Sequence, residues 1–301
     1  MKCDRRTFVK TGTIALAGTA VLGSTYCSSP EKAGVTGLQL YSIRDDMQAD
    51  PMGSLKKLAA MGYVYLEHAS YADRLFYGYS SAEFRKILDD LGLKMISGHV
   101  EFVNRDWDRS LSGFSDRWKY TVEDAATLGQ KYVVTPWLEE GIRADYDEFR
   151  HFMDVYNRCG ELCKKSGMKF GYHNHDFEFS QKFNGKALFD IMMESIDPDL
   201  VVVQLDPGNL FNGGAVASDV VSRYPGRFEN VHAKDVIPAA ETGKFESTIV
   251  GDGIADVRNV LDQIRKTGGA QTVIIEQEAY QGKTPMECAQ KNLGILKSWS
   301  Y

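Results

Sequence analysis

Two hydrophobic periods alternate along the chain: apolar residues three and four apart, as on one face of a helix, and short unbroken apolar runs, as in a buried strand. A helical stripe over residues 55–61 is followed by Gly62 and then by Tyr63-Val64-Tyr65-Leu66-Glu67. The same phrase returns as residues 84–91, Gly92 and Lys94-Met95-Ile96-Ser97. It recurs at Leu128-Gly129 before Tyr132-Val133-Val134-Thr135, at Ser166-Gly167 before Lys169-Phe170-Gly171-Tyr172-His173, and at Thr267-Gly268-Gly269 before Thr272-Val273-Ile274-Ile275-Glu276. A glycine just past the last helical turn can take positive φ, so the chain turns at once into the next strand. Ser80-Ser81-Ala82-Glu83 has the form of a capping box, with Phe84, Ile87, Leu88 and Leu91 on one face of the helix it opens. Further apolar runs without such a glycine lie at residues 35–40, 200–205 and 228–231.

That makes eight candidate strands, each followed by a helical stretch, and strict alternation of this kind implies a parallel sheet. No nucleotide-binding fingerprint accompanies the count, which favours a closed (β/α)8 TIM barrel in a single domain over an open doubly wound sheet. The 301 residues, 43% of them hydrophobic, can bury a large core without disulfides. A net charge of −6 with scattered basic residues argues against a nucleic-acid backbone binder, and the composition excludes collagen, coiled-coil and disordered classes. A barrel also fixes where function should gather, at the C-terminal ends of its strands.

Residues 1–30 differ from the rest. Arg5-Arg6-Thr7-Phe8-Val9-Lys10 precedes an uncharged run over residues 11–26 that is rich in Ala, Gly, Thr, Val and Leu. This resembles a bacterial twin-arginine export signal, since the run is too short and too glycine-rich for a stable membrane span. The domain reading is therefore an export signal at 1–30 and a barrel at 34–301, with a periplasmic or envelope location. Cys27 stands where a lipoprotein carries its lipidated cysteine, although Tyr26 before it is bulky, so anchoring by lipid stays open. Cys159, Cys163 and Cys288 remain in the body; an odd count gives no disulfide framework, and the i,i+4 pair reads as helix packing.

The chemistry-bearing residues crowd the strand ends. His99, His173, His175 and His232 stand at or just past apolar runs, His68 follows Glu67, and only His151 lies within a helix. Glu67, Asp206 and Glu276 each end a strand, where a buried carboxylate needs a partner or a metal. Residues two apart on a strand share a face, which pairs His173 with His175 and Glu276 with Glu278. Imidazoles with carboxylates suit Mn, Co, Fe or Zn, with Mg also compatible; a metal-free proton-shuttling site is the plainer alternative. Gly251-Asp252-Gly253 lacks the third glycine of a phosphate loop and reads as a turn before a helix capped by Asp256. Of Trp107, Trp118 and Trp137, the last has the best claim to a sugar-binding mouth.

On these residues the chain resembles the xylose isomerase-like TIM-barrel family, also called sugar phosphate isomerase/epimerase, from about residue 34 onward. Gly37-Leu38-Gln39-Leu40-Tyr41-Ser42, Tyr172-His173-Asn174-His175-Asp176-Phe177-Glu178-Phe179, Leu205-Asp206-Pro207-Gly208-Asn209, Val231-His232-Ala233-Lys234-Asp235 and Ile275-Glu276-Gln277-Glu278 carry the resemblance. It implies one divalent metal held by His173, Asp206, His232 and Glu276, with Glu178 in reserve. Many members have Glu at the place of His173 and several have His at that of Asn209. Glu67, His99, His175 and Lys234 become the acid/base candidates, and Gln39, Trp137, Glu178, Asn209 and Glu278 the substrate-binding ones.

The implied activity is enolisation next to a sugar carbonyl. Isomerisation or epimerisation is the first reading, and elimination from a ketosugar or 3-keto-glycoside the alternative, which the inosose dehydratase-like motifs of strands five and eight support. A non-catalytic, exported sugar-binding barrel is the third. The expected partner is a small sugar or keto-sugar, with no nucleic acid, no membrane beyond an N-terminal lipid anchor, and oligomerisation left open.

Overall fold

The computed structural model describes residues 35–240 and 243–301, so the expected export signal and Cys27 lie outside the described residues. Eight parallel strands close into a barrel: β1 (Val35–Gln39), β2 (Tyr65–His68), β3 (Lys94–His99), β4 (Tyr132–Thr135), β5 (Lys169–His173), β6 (Val201–Leu205), β7 (Asn230–Ala233) and β8 (Thr272–Ile275). Each strand pairs with its neighbours in sequence, and β8 closes the ring on β1 through Val35↔Thr272 and Leu38↔Ile275. Outside them lie α1 (Pro51–Met61), α2 (Ser81–Asp90), α3 (Asp116–Leu128), α4 (Tyr146–Lys165), α5 (Leu188–Ser195), α6 (Ala217–Arg223), α7 (Val257–Lys266) and α8 (Pro285–Ser298). This is the TIM barrel that the repeated phrase implies.

The local signals act as their chemistry requires. Gly62 and Gly129 end α1 and α3 at φ 90° and 89°, turning the chain into the next strand where a Cβ would be strained. Ser80 and Glu83 form both halves of the capping box on α2. Cys159 and Cys163 are buried, free thiols on the core face of α4. Asp256 differs from expectation: it sits at φ 52° and makes no side-chain cap to α7. The preceding glycine loop is held instead by Asp235, whose carboxylate accepts the N–H groups of Gly251, Gly253 and Ala255. Those amides therefore already bind an anion, the chain's own.

Between helices and strands runs one large apolar core, which takes in Trp107 and the fully buried Trp118. Inside the ring, Tyr132, Val134 and Val202 form a separate small cluster. Val202 and Gln204 share a strand face, so this cluster lies below the layer that contains Gln204 and leaves the C-terminal end of the barrel to polar side chains. Close approach fixes one residue there: a Cβ on Gly98 would overlap the imidazole of buried His68. Over the same end lie antiparallel hairpins in the loops after β2, β3, β5 and β7, among them Leu75–Phe76 with Tyr79–Ser80 and Asp235–Pro238 with Phe245–Thr248.

Candidate active site

At the centre of the C-terminal end lies a fully buried carboxylate, Glu67. Its Oε1 accepts from Gln39 Nε2 at 2.8 Å and faces His232 Nε2 at 2.7 Å and His99 Nε2 at 3.1 Å. Its Oε2 accepts from Gln204 Nε2 at 2.8 Å and from the Ser97 hydroxyl. Burial alone would raise this carboxyl, yet His99, His232 and their hydrogen bonds hold it well below the usual carboxylate range. Gln204 extends the network, because its Oε1 faces His99 Nε2 at 2.7 Å and His173 Nδ1 at 3.0 Å. That bond makes Nδ1 of His173 the donor and leaves Nε2 its lone pair.

Above this layer, His173, Asp206, His232 and Glu276 bring one donor atom each to within 4.8 Å of one another, all four residues buried. His173 Nε2 and His232 Nδ1 lie 3.9 and 3.8 Å from Asp206 Oδ2, and His232 Nδ1 lies 3.1 Å from Glu276 Oε2. Asp206 caps its own short helix by accepting the Asn209 N–H on Oδ1 at 2.8 Å, while Oδ2 is buried with no hydrogen-bond partner. An unpartnered buried carboxylate oxygen facing two imidazoles and a second carboxylate fits a divalent cation. The carboxylate of Glu67 behind His232 Nε2 is the outer-shell partner that turns Nδ1 towards such an ion.

The charges around this centre are coupled. Burial disfavours charge on His232, but Glu276 and Glu67 outweigh it and raise the imidazole to about 10. Burial, opposed by Lys234 and reinforced by Glu276, pushes Asp206 up to about 6, whereas Lys234 and His232 hold Glu276 well below the carboxylate range against its own burial. Lys234 Nζ is an internal cation in the same space, 3.2 Å from Glu276 Oε2, 3.2 Å from Glu278 Oε1 and 3.0 Å from Asn209 Oδ1. Asn209 Nδ2 completes the link at 3.2 Å from His173 Nε2.

A pocket of about 480 Å³ opens over the centre, and its lining includes His99, His173, His175, Glu276 and Glu278. His175 is held ring-on-ring, edge-to-face with Trp137 and stacked on Phe177, and burial with the nearby Lys234 charge lowers it to about 4. Trp137 is 39% exposed beside it. Three expected site residues sit beneath the pocket instead. Gln39 and Glu67 are fully buried and bonded to each other, and Glu178 is fully buried with its oxygens on the Tyr172 hydroxyl and the His175 N–H. Their hydrogen bonds run upward, from the Gln39–Glu67 pair to His232 and from Glu178 to the backbone of His175. Ser97 and Gln204 were absent from the expected set; a polar residue at an inward position of an apolar strand was the available signal. Tyr41, Tyr71, Glu101 and Arg117 also line the pocket, Tyr71 and Glu101 from loops that carry no periodicity, Tyr41 from the turn after β1 and Arg117 from the first turn of α3.

A family model of the xylose isomerase-like TIM barrel matches residues 55–299. The chain belongs to this family. Among solved structures it is similar to a sugar phosphate isomerase/epimerase from Parabacteroides distasonis, with 27% identity, a TM-score of 0.74 and coverage of 91% of this chain and 97% of that one. A zinc-bound protein shares the fold at 17% identity and a TM-score of 0.67, over 88% of this chain and 97% of that one. Among curated relatives, an inosose dehydratase from Lacticaseibacillus casei is 27% identical over 161 residues, 48% of this chain. The chain spans about half the length of the curated relatives it matches first, 52% in that case.

Two predictions follow from the buried carboxylates. Glu67→Gln keeps the shape but loses the anion behind His232, and should weaken binding of Mn or Zn about 10–100-fold in calorimetric titration; unchanged affinity would remove Glu67 from any supporting role. Burial raises Glu178 from 4.5 to about 7, so the fold binds a proton that the unfolded chain releases, and this group's contribution to stability is lost as pH rises from about 4.5 to 7. Glu178→Gln should therefore gain stability over wild type as pH rises, by at most on the order of 3 kcal/mol at pH 8, with little difference at pH 4. Urea denaturation at both pH values checks the sign.

Proposed function

We propose that the chain is a divalent-metal-dependent enzyme that enolises a ketosugar and then eliminates a substituent from the carbon beyond. The observation that carries this reading is the unpartnered Asp206 Oδ2 among His173, His232 and Glu276, directly under a polar pocket. Bound there, a divalent ion supplies Lewis-acid polarisation of the substrate carbonyl. His175, held neutral by burial and by Lys234, has a lone pair to take the proton from the adjacent carbon, and its ring is fixed by Trp137 and Phe177. Lys234 presents an ammonium to a developing oxyanion while Glu278 and Asn209 orient it. His99, tied to Gln204 and Glu67, forms the opposite wall.

Elimination rests on the curated relatives named inosose dehydratases, since the pocket's acid and base groups serve any outcome of enolisation. Glu276 and Glu278 both come from the end of β8, and β5 faces them with imidazoles. Isomerisation or epimerisation by the same enolisation is the second reading, supported by the likeness to the Parabacteroides distasonis structure. The protein without residues 1–30 should carry near-stoichiometric metal and convert a ketosugar, an inosose or a 3-keto-glycoside to an enone with loss of water or aglycone, read by mass spectrometry and ultraviolet absorbance. Asp206→Ala and His232→Ala should each lose the metal and lower turnover more than about 100-fold, beyond the effect of an outer-shell partner. Product of unchanged mass would select the epimerase. No metal after reloading, with a tight sugar complex and no turnover, would leave a binding protein.

The same proposal places this chemistry beyond the inner membrane of a bacterium, on the strength of Arg5-Arg6 and the uncharged run behind them. Cell fractionation should find wild type in the envelope and the Arg5→Lys, Arg6→Lys variant in the cytoplasm; equal distributions would reject export.

A further inference from the structure

A second cavity of about 470 Å³ adjoins the central pocket, and Tyr41 and Ala69 line both. The two differ in chemistry. Around the first stand imidazoles and carboxylates able to bond the hydroxyls of a sugar ring. The second is walled by Leu40, Met47, Pro51 and the rings of Tyr41 and Tyr77, and Arg44 is the one charged side chain among its described lining residues. Arg44 Nη1 donates to Tyr280 Oη at 3.0 Å, its guanidinium lies 4.8 Å from the Tyr41 ring centre, and it has no carboxylate partner among the described residues.

The wall is built at a conformational cost. Tyr77 and Gly78 form a two-residue turn at φ 49° and 90°, a geometry that favours Asn or Gly at the first position. A tyrosine is uncommon there, and this one is held by accepting the Ala69 N–H on its hydroxyl at 3.1 Å. The turn thereby fixes an aromatic ring against the residue that joins the two cavities.

We propose that this second cavity receives the group expelled in the reaction and that the group is a planar aromatic ring, which makes the substrate an aryl glycoside of a ketosugar. The inference rests on the elimination reading above. A second sugar would call for acids and amides around the ring, and the groove offers a single amide, Gln48. The chemistry agrees: the base takes the proton next to the ketone, the bond from the sugar carbon to the phenolic oxygen breaks with its electron pair leaving on that oxygen, and the base returns its proton through water to the phenolate, giving enone and phenol. A phenol, with a pKa near ~10, departs as the anion without an acid beside it, as an alkoxide does not. No carboxyl group lines the second cavity among the described residues, and Arg44 supplies positive charge for the departing oxygen.

The test compares phenyl and methyl 3-keto-β-glucosides on the Mn-loaded protein without residues 1–30, in wild type, Ser70→Trp, which fills the groove, and Arg44→Met, with circular dichroism to verify folding. Wild type should show a KM for the phenyl substrate about 10-fold lower than for the methyl one, in keeping with one aromatic contact. Ser70→Trp should erase most of that difference, and Arg44→Met should lower kcat for the phenyl substrate with little change in its KM. A binding arm separates this from the reaction itself: calorimetry with the unoxidised phenyl and methyl glucosides should show the same preference in wild type and its loss in Ser70→Trp. Binding preference without turnover would keep the subsite and reject the elimination reading. Equal binding of the two glucosides, or tighter binding of a disaccharide than of the phenyl glucoside, would overturn the aryl subsite.

Discussion

One buried carboxylate organises the end of the barrel on which everything else stands. Glu67 has no solvent to ionise into, and a buried anion is tolerable only when neighbours satisfy it. Those neighbours come from β1, β3, β6 and β7, as Gln39, Ser97 with His99, Gln204 and His232. Five strands are thus joined by side chains as well as by the sheet's own ladder. The orientation of His232 follows, since Nε2 is committed to Glu67 and Nδ1 is left for the centre above. So does that of His173, through Gln204.

A charge sum explains why the centre is built as it is. Glu67, Asp206 and Glu276 bring three buried carboxylates, and protonated His232 and Lys234 bring two cations, so one negative charge is left uncompensated. Asp206, raised to about 6 first by burial and then by the neighbouring Glu276 charge against the pull of Lys234, keeps an oxygen that has no hydrogen-bond partner. A divalent ion held by His173, Asp206, His232 and Glu276 would add two charges, and with His232 neutral the sum would come to zero. Lys234 alone cannot do this. Its ammonium is divided among Glu276, Glu278 and Asn209, and it reaches Asp206 Oδ2 only at 3.8 Å.

What the sequence made legible was phase, and what it hid was depth. Helix-glycine-strand phrases placed the barrel because the period of apolar residues and the turn chemistry are local properties. His173, Asp206, His232 and Glu276 stand out as strand-end residues for the same reason, while their grouping as one ligand set came from the family resemblance; the fold brings the four together. Depth is set by the taper of the closed barrel and by the loops above it. Inward-facing Gln39 and Glu67 therefore look like site residues in one dimension and lie beneath the site in three. Glu178 was misplaced by a different cause: the chain turns into a short helix after β5, so strand alternation no longer applies and its carboxyl folds back under His175. Gln204 was hidden inside an otherwise apolar strand, and the pocket's loop residues carry no periodic signal at all.

The two departures from the family pattern make sense together. A glutamate in place of His173 would put a fourth carboxylate into a space already one negative charge in excess, and a histidine at 209 would lose the amide that serves both sides of the site. Asn209 holds Lys234 through its oxygen and faces His173 through its nitrogen, so a neutral bridge keeps the ammonium within reach of the pocket and the imidazole aimed at Asp206. Imidazole for carboxylate lowers the negative charge of the ligand set by one while Lys234 supplies a fixed positive charge on the other side. This centre would hold a divalent ion less tightly than one with the carboxylate, and it keeps a cation of its own beside the pocket. Such a balance suits chemistry in which negative charge develops on a carbonyl oxygen and then moves out along the substrate.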